Sequence, residues 1–172
     1  VFSEPIDLPP GAKAVPIRTL FNVKPDRVKA RAVVDGSRQQ PGVDFDPDAT
    51  YSPTMDRVSY RILLAIACAF GADIHTLDVT QAFLNSPMEE VMYVRLPAGV
   101  LHGGKRGQVF QLRRSLYGTK QAPAAWQRNL AESLSNMGVK PTVSDPSVFF
   151  RREGVHFLLV GVYVDDLLMI ST

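Results

Sequence analysis

Two adjacent carboxylates interrupt a stretch that is otherwise apolar, and a third closes another apolar stretch. The run from Phe157 to Ile170 is broken only at Asp165-Asp166, and Leu77-Asp78-Val79 ends a second run that begins at Ile74. Neighbouring acids beside a dry sheet repel, and removing each from water costs several kcal/mol, so they need either solvent at a turn or a cation between them. Solvent alone accounts for an Asp-Asp pair at a hairpin tip, since Asp tolerates turns and bonds its own backbone. An acid at the end of a different strand changes the expectation. Three such carboxylates, with a backbone carbonyl such as that of Val79, form the oxygen-only donor set that suits a pair of magnesium ions roughly 3.5–4 Å apart. Ion pairs of that kind serve phosphoryl transfer by in-line displacement.

The elements that must position these acids are of mixed type, and the reading is α+β. Val155 to Val164 and Leu167 to Ile170 read as two strands joined by a tight turn at Asp165-Asp166, and Ile74 to Val79 as a third strand. A helix is expected over Arg57 to Phe70, with Asp56 as N-cap, Gly71 beyond its end and Ile62, Leu63, Ile66 and Phe70 facing the core. A second is expected from Pro123 to Met137, with Trp126, Leu130, Leu134 and Met137 sharing a face and Gly138 ending it. Strands at Ile17 to Val23 and Val28 to Val34 form a two-stranded ribbon, and Pro41 to Pro53, rich in Asp, Gly and Pro, is an irregular loop.

At 172 residues, with 45% apolar and 21% charged side chains, the composition excludes disorder and fibrous repeats. The single cysteine, Cys68, is read as a plain buried thiol. It cannot close a disulfide within the chain, which points to a reducing, intracellular setting. No apolar run approaches the roughly 18 residues of a membrane span, and Val1-Phe2-Ser3 is not a signal peptide. A start without Met and an end just past a strand are read as the bounds of a piece of something longer. The net charge of +2 conceals a stretch, Val91 to Ala131, that holds seven bases (Arg95, Lys105, Arg106, Arg113, Arg114, Lys120, Arg128) and no acid. Such a run is either a solvated surface or a face for a polyanion.

Tyr163-Val164-Asp165-Asp166 is similar to the Tyr-x-Asp-Asp box of reverse transcriptases. The chain resembles the copia-type retrotransposon subgroup through Lys29-Ala30-Arg31, Leu77-Asp78-Val79 with Ala82-Phe83-Leu84-Asn85, the block Ser115 to Trp126, and Asp145-Pro146-Ser147-Val148-Phe149. These boxes stand in order between about Leu8 and Thr172.

The resemblance implies an RNA-directed DNA polymerase. Its fingers would use about residues 1–70 and 86–121 and its palm 71–85 and 122–172, with an antiparallel palm sheet backed by helices. The thumb, ribonuclease H, integrase and protease of such polyproteins would lie elsewhere. Asp78, Asp165 and Asp166, with the Val79 carbonyl, would hold two Mg2+ ions, Mn2+ being a substitute. Lys29, Arg31, Tyr117, Lys120 and Gln121 would meet the incoming deoxynucleoside triphosphate, and Phe83 would exclude a 2′-hydroxyl. Tyr163, Gly118 and Pro123 would support the primer and the RNA or DNA template. No membrane is implied, and the setting would be a cytoplasmic virus-like particle or the nucleus. The alternatives are an inactive nucleic-acid-binding remnant of a retroelement and another two-metal palm enzyme such as a nucleotide cyclase. Two departures from the subgroup stand out: Asp35, where relatives usually carry a base, and Ile17-Arg18-Thr19-Leu20. An acid at position 35 is expected to weaken the pull of the ribbon on phosphates.

Overall fold

The computed structural model describes residues 1–97 and 107–172, so His102, Lys105 and Arg106 lie outside the described residues. Among the described residues the fold is α+β, with two helices and two sheets, as the sequence leads one to expect. No helix there is long and apolar enough to cross a membrane. The chain forms two compact units, one of residues Val1–Tyr51 and Phe83–Trp126, the other of Ser52–Ala82 and Gln127–Thr172.

In the first unit, β1 (Ala14–Val23) pairs antiparallel with β2 (Val28–Val34) and parallel with β4 (Tyr93–Arg95), which pairs with β5 (Phe110–Gln111). Val15, Ile17, Val34, Val94, Phe110 and Leu116 are part of its core. Beyond Ile17 and Val34 the β1–β2 ribbon runs out into solvent. Because side chains alternate along a strand, the register of Leu20 opposite Arg31 and Asn22 opposite Lys29 gives that arm two unlike faces. One carries Arg18, Leu20, Asn22, Lys29 and Arg31. The other carries Thr19, Phe21, Val23, Val28, Ala30 and Ala32, an apolar stripe continuous with the core but exposed along most of its length.

Asp35 does not project from this arm as a free negative charge. Its carboxylate is 7% exposed and accepts from Arg18 at 2.6 Å, Arg38 at 3.2 Å and the Ser37 hydroxyl at 2.6 Å. The two departures from the subgroup pattern thus pair with each other, the Asp35 carboxylate being matched by the Arg18 and Arg38 guanidinium groups. The Ser37 hydrogen bond is the largest influence on the acid. Burial opposes it, the two guanidinium groups add to it, and together they hold the carboxyl below its ordinary value near 3.8. The unfolded chain therefore binds this proton more readily. The stability contributed is complete above the ordinary value and lost as pH falls through the depressed one. Acid unfolding followed by circular dichroism should show a steeper loss below about pH 4 in the parent chain than in Asp35→Asn, and equal slopes would remove Asp35 from the account.

In the second unit the sheet order is β3 (Asp73–Asp78), β9 (Asp166–Ser171), β8 (His156–Tyr163), β7 (Val148–Glu153) and β6 (Lys140–Pro141), antiparallel throughout. Helix α1 (Arg57–Phe70) packs on it. Asp56 accepts from the Val58 N–H at 2.8 Å as N-cap, and Gly71 ends the helix in left-handed backbone, φ 59°. The helix buries Leu63 and Ala67 against Met55, Val148, Leu159, Leu168 and Ile170, while Ile62 and Phe70, expected to face the core, are exposed. Phe70 keeps an edge contact with Phe157, their centroids 5.6 Å apart. Cys68 is exposed rather than buried, because it lies off the narrow Leu63–Ala67 face. The sequence reading assigns residues 57–70 to the lobe of the ribbon, whereas this packing joins them to the sheet of β8 and β9. Helix α2 (Ala122–Asn136) carries the chain from the first unit into the second. It begins one residue earlier than expected, burying Trp126, Leu130 and Leu134 but leaving Met137 exposed.

Candidate active site

The β3–β9 ladder sets Asp78 opposite Asp166. Directly opposed residues of an antiparallel pair have Cβ atoms about 4.5–5.5 Å apart, so the two carboxylates rise together on one side of the sheet. The third acid follows from the hairpin. Tyr163 pairs with Asp166, so the two-residue connection is Val164-Asp165 rather than the expected Asp165-Asp166, and Asp166 belongs to the strand. Burial fixes this register: Val162 and Leu167 are both buried partners across the hairpin, and a slip by one residue would turn them out to water. The consequence is a β-branched residue at positive φ, Val164 at 57°, a conformation that costs about 1–3 kcal/mol and is held only because the flanking strands dictate it. The turn is tied to β3 by a 2.8 Å hydrogen bond from the Val79 N–H to the Asp165 carbonyl.

Asp78 and Asp166 are exposed and Asp165 half-buried. The backbone gathers the three acids without drawing the carboxylates around one point. Among the described residues, no three acidic, His or Cys side chains form a cluster that could hold a metal. The donor set nevertheless suits hard divalent cations in its chemistry: carboxylate oxygens at one end of a sheet, two of the three acids exposed, with the Val79 peptide bonded to the turn. Asp166 also borders an open pocket of about 480 Å3 whose walls include Met55, Tyr60, Thr76, Tyr163 and Leu168. Tyr163 is 56% exposed there, so its ring is available for contact.

The other expected site residues lie in the first unit. Lys29 and Arg31 are exposed on the charged face of the ribbon, two positions apart. Phe83 is half-buried and meets Tyr117 edge to face, with centroids 4.8 Å apart and planes at 61°. Gly118 sits at φ 90°, and a β-carbon there would collide with the Val34 backbone and the Val33 side chain, so the close approach it permits is to β2. The Val34 N–H donates to the Tyr117 carbonyl at 2.7 Å in the same contact. Pro123 stands in the first turn of α2, and Lys120 is exposed.

Gln121, expected to meet the nucleotide, is only 3% exposed and spends its amide on protein. Its oxygen accepts from Gln39 at 2.9 Å, and its nitrogen donates to the Asp44 carbonyl at 3.1 Å and to Glu90 at 3.3 Å. It reaches a ligand only through what it holds. Gln39 was not singled out by any motif, because its partners lie 81 and 82 residues away.

Residues 3–172 match the family model described as reverse transcriptase (RNA-dependent DNA polymerase). The chain belongs to the reverse transcriptase family. Among curated relatives it is 36% identical over 173 residues to the Retrovirus-related Pol polyprotein from transposon TNT 1-94 of Nicotiana tabacum, covering 96% of this chain and 13% of that protein. To the Pol polyproteins from transposons RE2 and RE1 of Arabidopsis thaliana it is 35% and 38% identical, over 94% and 84% of this chain and 11% and 10% of theirs. The resemblance to copia-type elements stands, and this reverse transcriptase chain spans about a tenth of the length of the polyproteins it matches.

Proposed function

We propose that the chain is the fingers and palm of an RNA-directed DNA polymerase from a copia-type retrotransposon, with the first unit as fingers and the second as palm. It would act inside the cell and add deoxynucleotides to a primer 3′-hydroxyl on an RNA or DNA template. The single observation that carries this reading is the β3–β9 register, which puts Asp78 opposite Asp166 while the Asp165 turn is bonded to Val79. Asp78, Asp165, Asp166 and the Val79 carbonyl would hold the two divalent ions. Bound there, such ions supply a lowered hydroxyl pKa and neutralisation of the charge that develops on the phosphates.

The remaining work falls to the protein's own side chains, and it is positioning and electrostatics rather than covalent catalysis. Lys29 and Arg31, on one face of a strand, draw the triphosphate with charge-assisted hydrogen bonds. Lys120 adds a third cation from a turn whose backbone is fixed. The Phe83 ring, braced by Tyr117, fills the space a 2′-hydroxyl would need. Tyr163 packs beside the primer terminus. The intact trio of acids favours a working enzyme over a binding remnant.

The test is primer extension on an RNA template with magnesium, using a longer polypeptide that contains this chain. Deoxynucleotides should be added, and Phe83→Ala should admit ribonucleotides at least about tenfold more readily, the scale of one lost steric exclusion. No template-directed addition would sink the polymerase reading, and unchanged sugar selectivity in Phe83→Ala would reject the gate alone.

A further inference from the structure

Between β2 and α2 the first unit joins two loops by side-chain amides. Gln39 is 7% exposed, and both ends of its amide are used on consecutive residues of the other loop. Its oxygen accepts from the Lys120 backbone N–H at 2.8 Å, and its nitrogen donates to the Gln121 side-chain oxygen at 2.9 Å. Lys120 precedes α2, so its N–H has no helical acceptor, and Gln39 provides one. Gln121 is fixed in turn by Asp44 and Glu90, and the Asp44 carboxylate accepts from the Gln40 N–H at 2.7 Å, closing the Gln39 loop on itself. A β-carbon on Gly36 would collide with the Gly118 carbonyl, and one on Gly118 with Val34, so neither glycine has room for a side chain. The product is a turn whose backbone is held at several points while one side chain, that of Lys120, is left in solvent.

We propose that Gln39 is a positioning residue for the incoming triphosphate, acting through Lys120. The proposal rests on the reading of Lys120 as a contact for the nucleotide phosphates. An ammonium on a four-carbon stem is a mobile charge, and pinning the peptide from which it springs cuts the freedom lost when it engages a phosphate. Rigid backbone thereby becomes affinity. Gln39 itself touches no nucleotide in this scheme. Gln121, instead of meeting the ligand, is the second anchor of the same turn.

Titration calorimetry of the chain with dATP and magnesium separates this from a merely architectural role. Gln39→Met, of similar length but with no polar end, should weaken binding about tenfold, and Lys120→Ala should weaken it by a similar factor. Because Gln39 acts through Lys120, the double variant should bind no worse than Lys120→Ala, a coupling that independent effects would not produce. Gln39→Glu keeps the acceptor for the Lys120 N–H and should hold binding closer to the parent than Gln39→Met does. Should Gln39→Met fail to fold, hydrogen exchange on the unsubstituted chain decides: the Lys120 amide should be protected, and free exchange overturns the proposal. Losses that add in the double variant, or parental affinity in a folded Gln39→Met, overturn it and leave the polymerase reading untouched. No dATP binding by the parent chain would overturn the role of Lys120 and the proposal together.

Discussion

Asp78→Asn and Asp166→Asn should each reduce nucleotide addition on the order of a thousandfold or more while leaving the fold as stable as before or slightly more so. The two halves of this expectation have one cause. The acids stand directly opposite each other on β3 and β9, and like charges so placed destabilise a sheet by about 0.2–1 kcal/mol. Asn keeps the size and polarity of the side chain and removes the repulsion. It also removes the anionic oxygens on which a hard divalent cation depends. A residue present for stability behaves in the opposite way, losing activity because the fold is lost. The measurement is primer extension and thermal unfolding on the same preparations of the longer polypeptide. A midpoint that drops along with the rate would place the two acids in the architecture rather than the chemistry.

Gly118→Ala should destabilise the first unit by on the order of 2–6 kcal/mol, a large part of the 5–15 kcal/mol that holds a typical domain. Two penalties coincide at this position. A side chain at φ 90° is strained by about 1–3 kcal/mol. The new methyl would also overlap the Val34 carbonyl and stand 2.6 Å from a methyl of Val33, an overpacking cost of about 1–3 kcal/mol. Gly42 separates the two effects. It has φ 73° in the same unit but nothing within 4 Å of a built β-carbon, so Gly42→Ala should lose only about 1–2 kcal/mol. Denaturant unfolding of both variants reads the difference, and equal losses would show that backbone strain alone explains the glycine.

Local chemistry was legible in the sequence. Helix α1 has the bounds expected from Asp56 and Gly71, because a cap and a left-handed stop act within one turn of the helix. β2 likewise matches its reading, Val28–Val34. What was not legible depends on distant partners. β7 lies in a segment read as a motif and becomes a strand only by pairing with β8. The tip of the hairpin moved by one residue because burial of Val162 and Leu167, not turn preference, sets the register. Periodicity put Ile62 and Phe70 toward the core because α1 is apolar on several sides, and only the packed sheet chooses among them. At the candidate site the three acids were visible as interruptions of apolar runs. The Arg18–Asp35 pairing and the Gln39–Gln121 amide contact were not, since they join residues 17 and 82 positions apart, beyond the reach of any local pattern.

The alternation of the β1–β2 arm makes its two faces independently adjustable. Substitutions at Lys29 or Arg31 change the cationic side and leave Phe21, Val23 and Val28 in place, and the reverse holds. An inserted or deleted residue has no such selectivity. It would swap the sides for every position beyond it, turning oil where charge had been and moving the bases onto the line of the core. Drift in this lineage can therefore retune the arm one letter at a time, but a change of its length by a single residue in one strand inverts it.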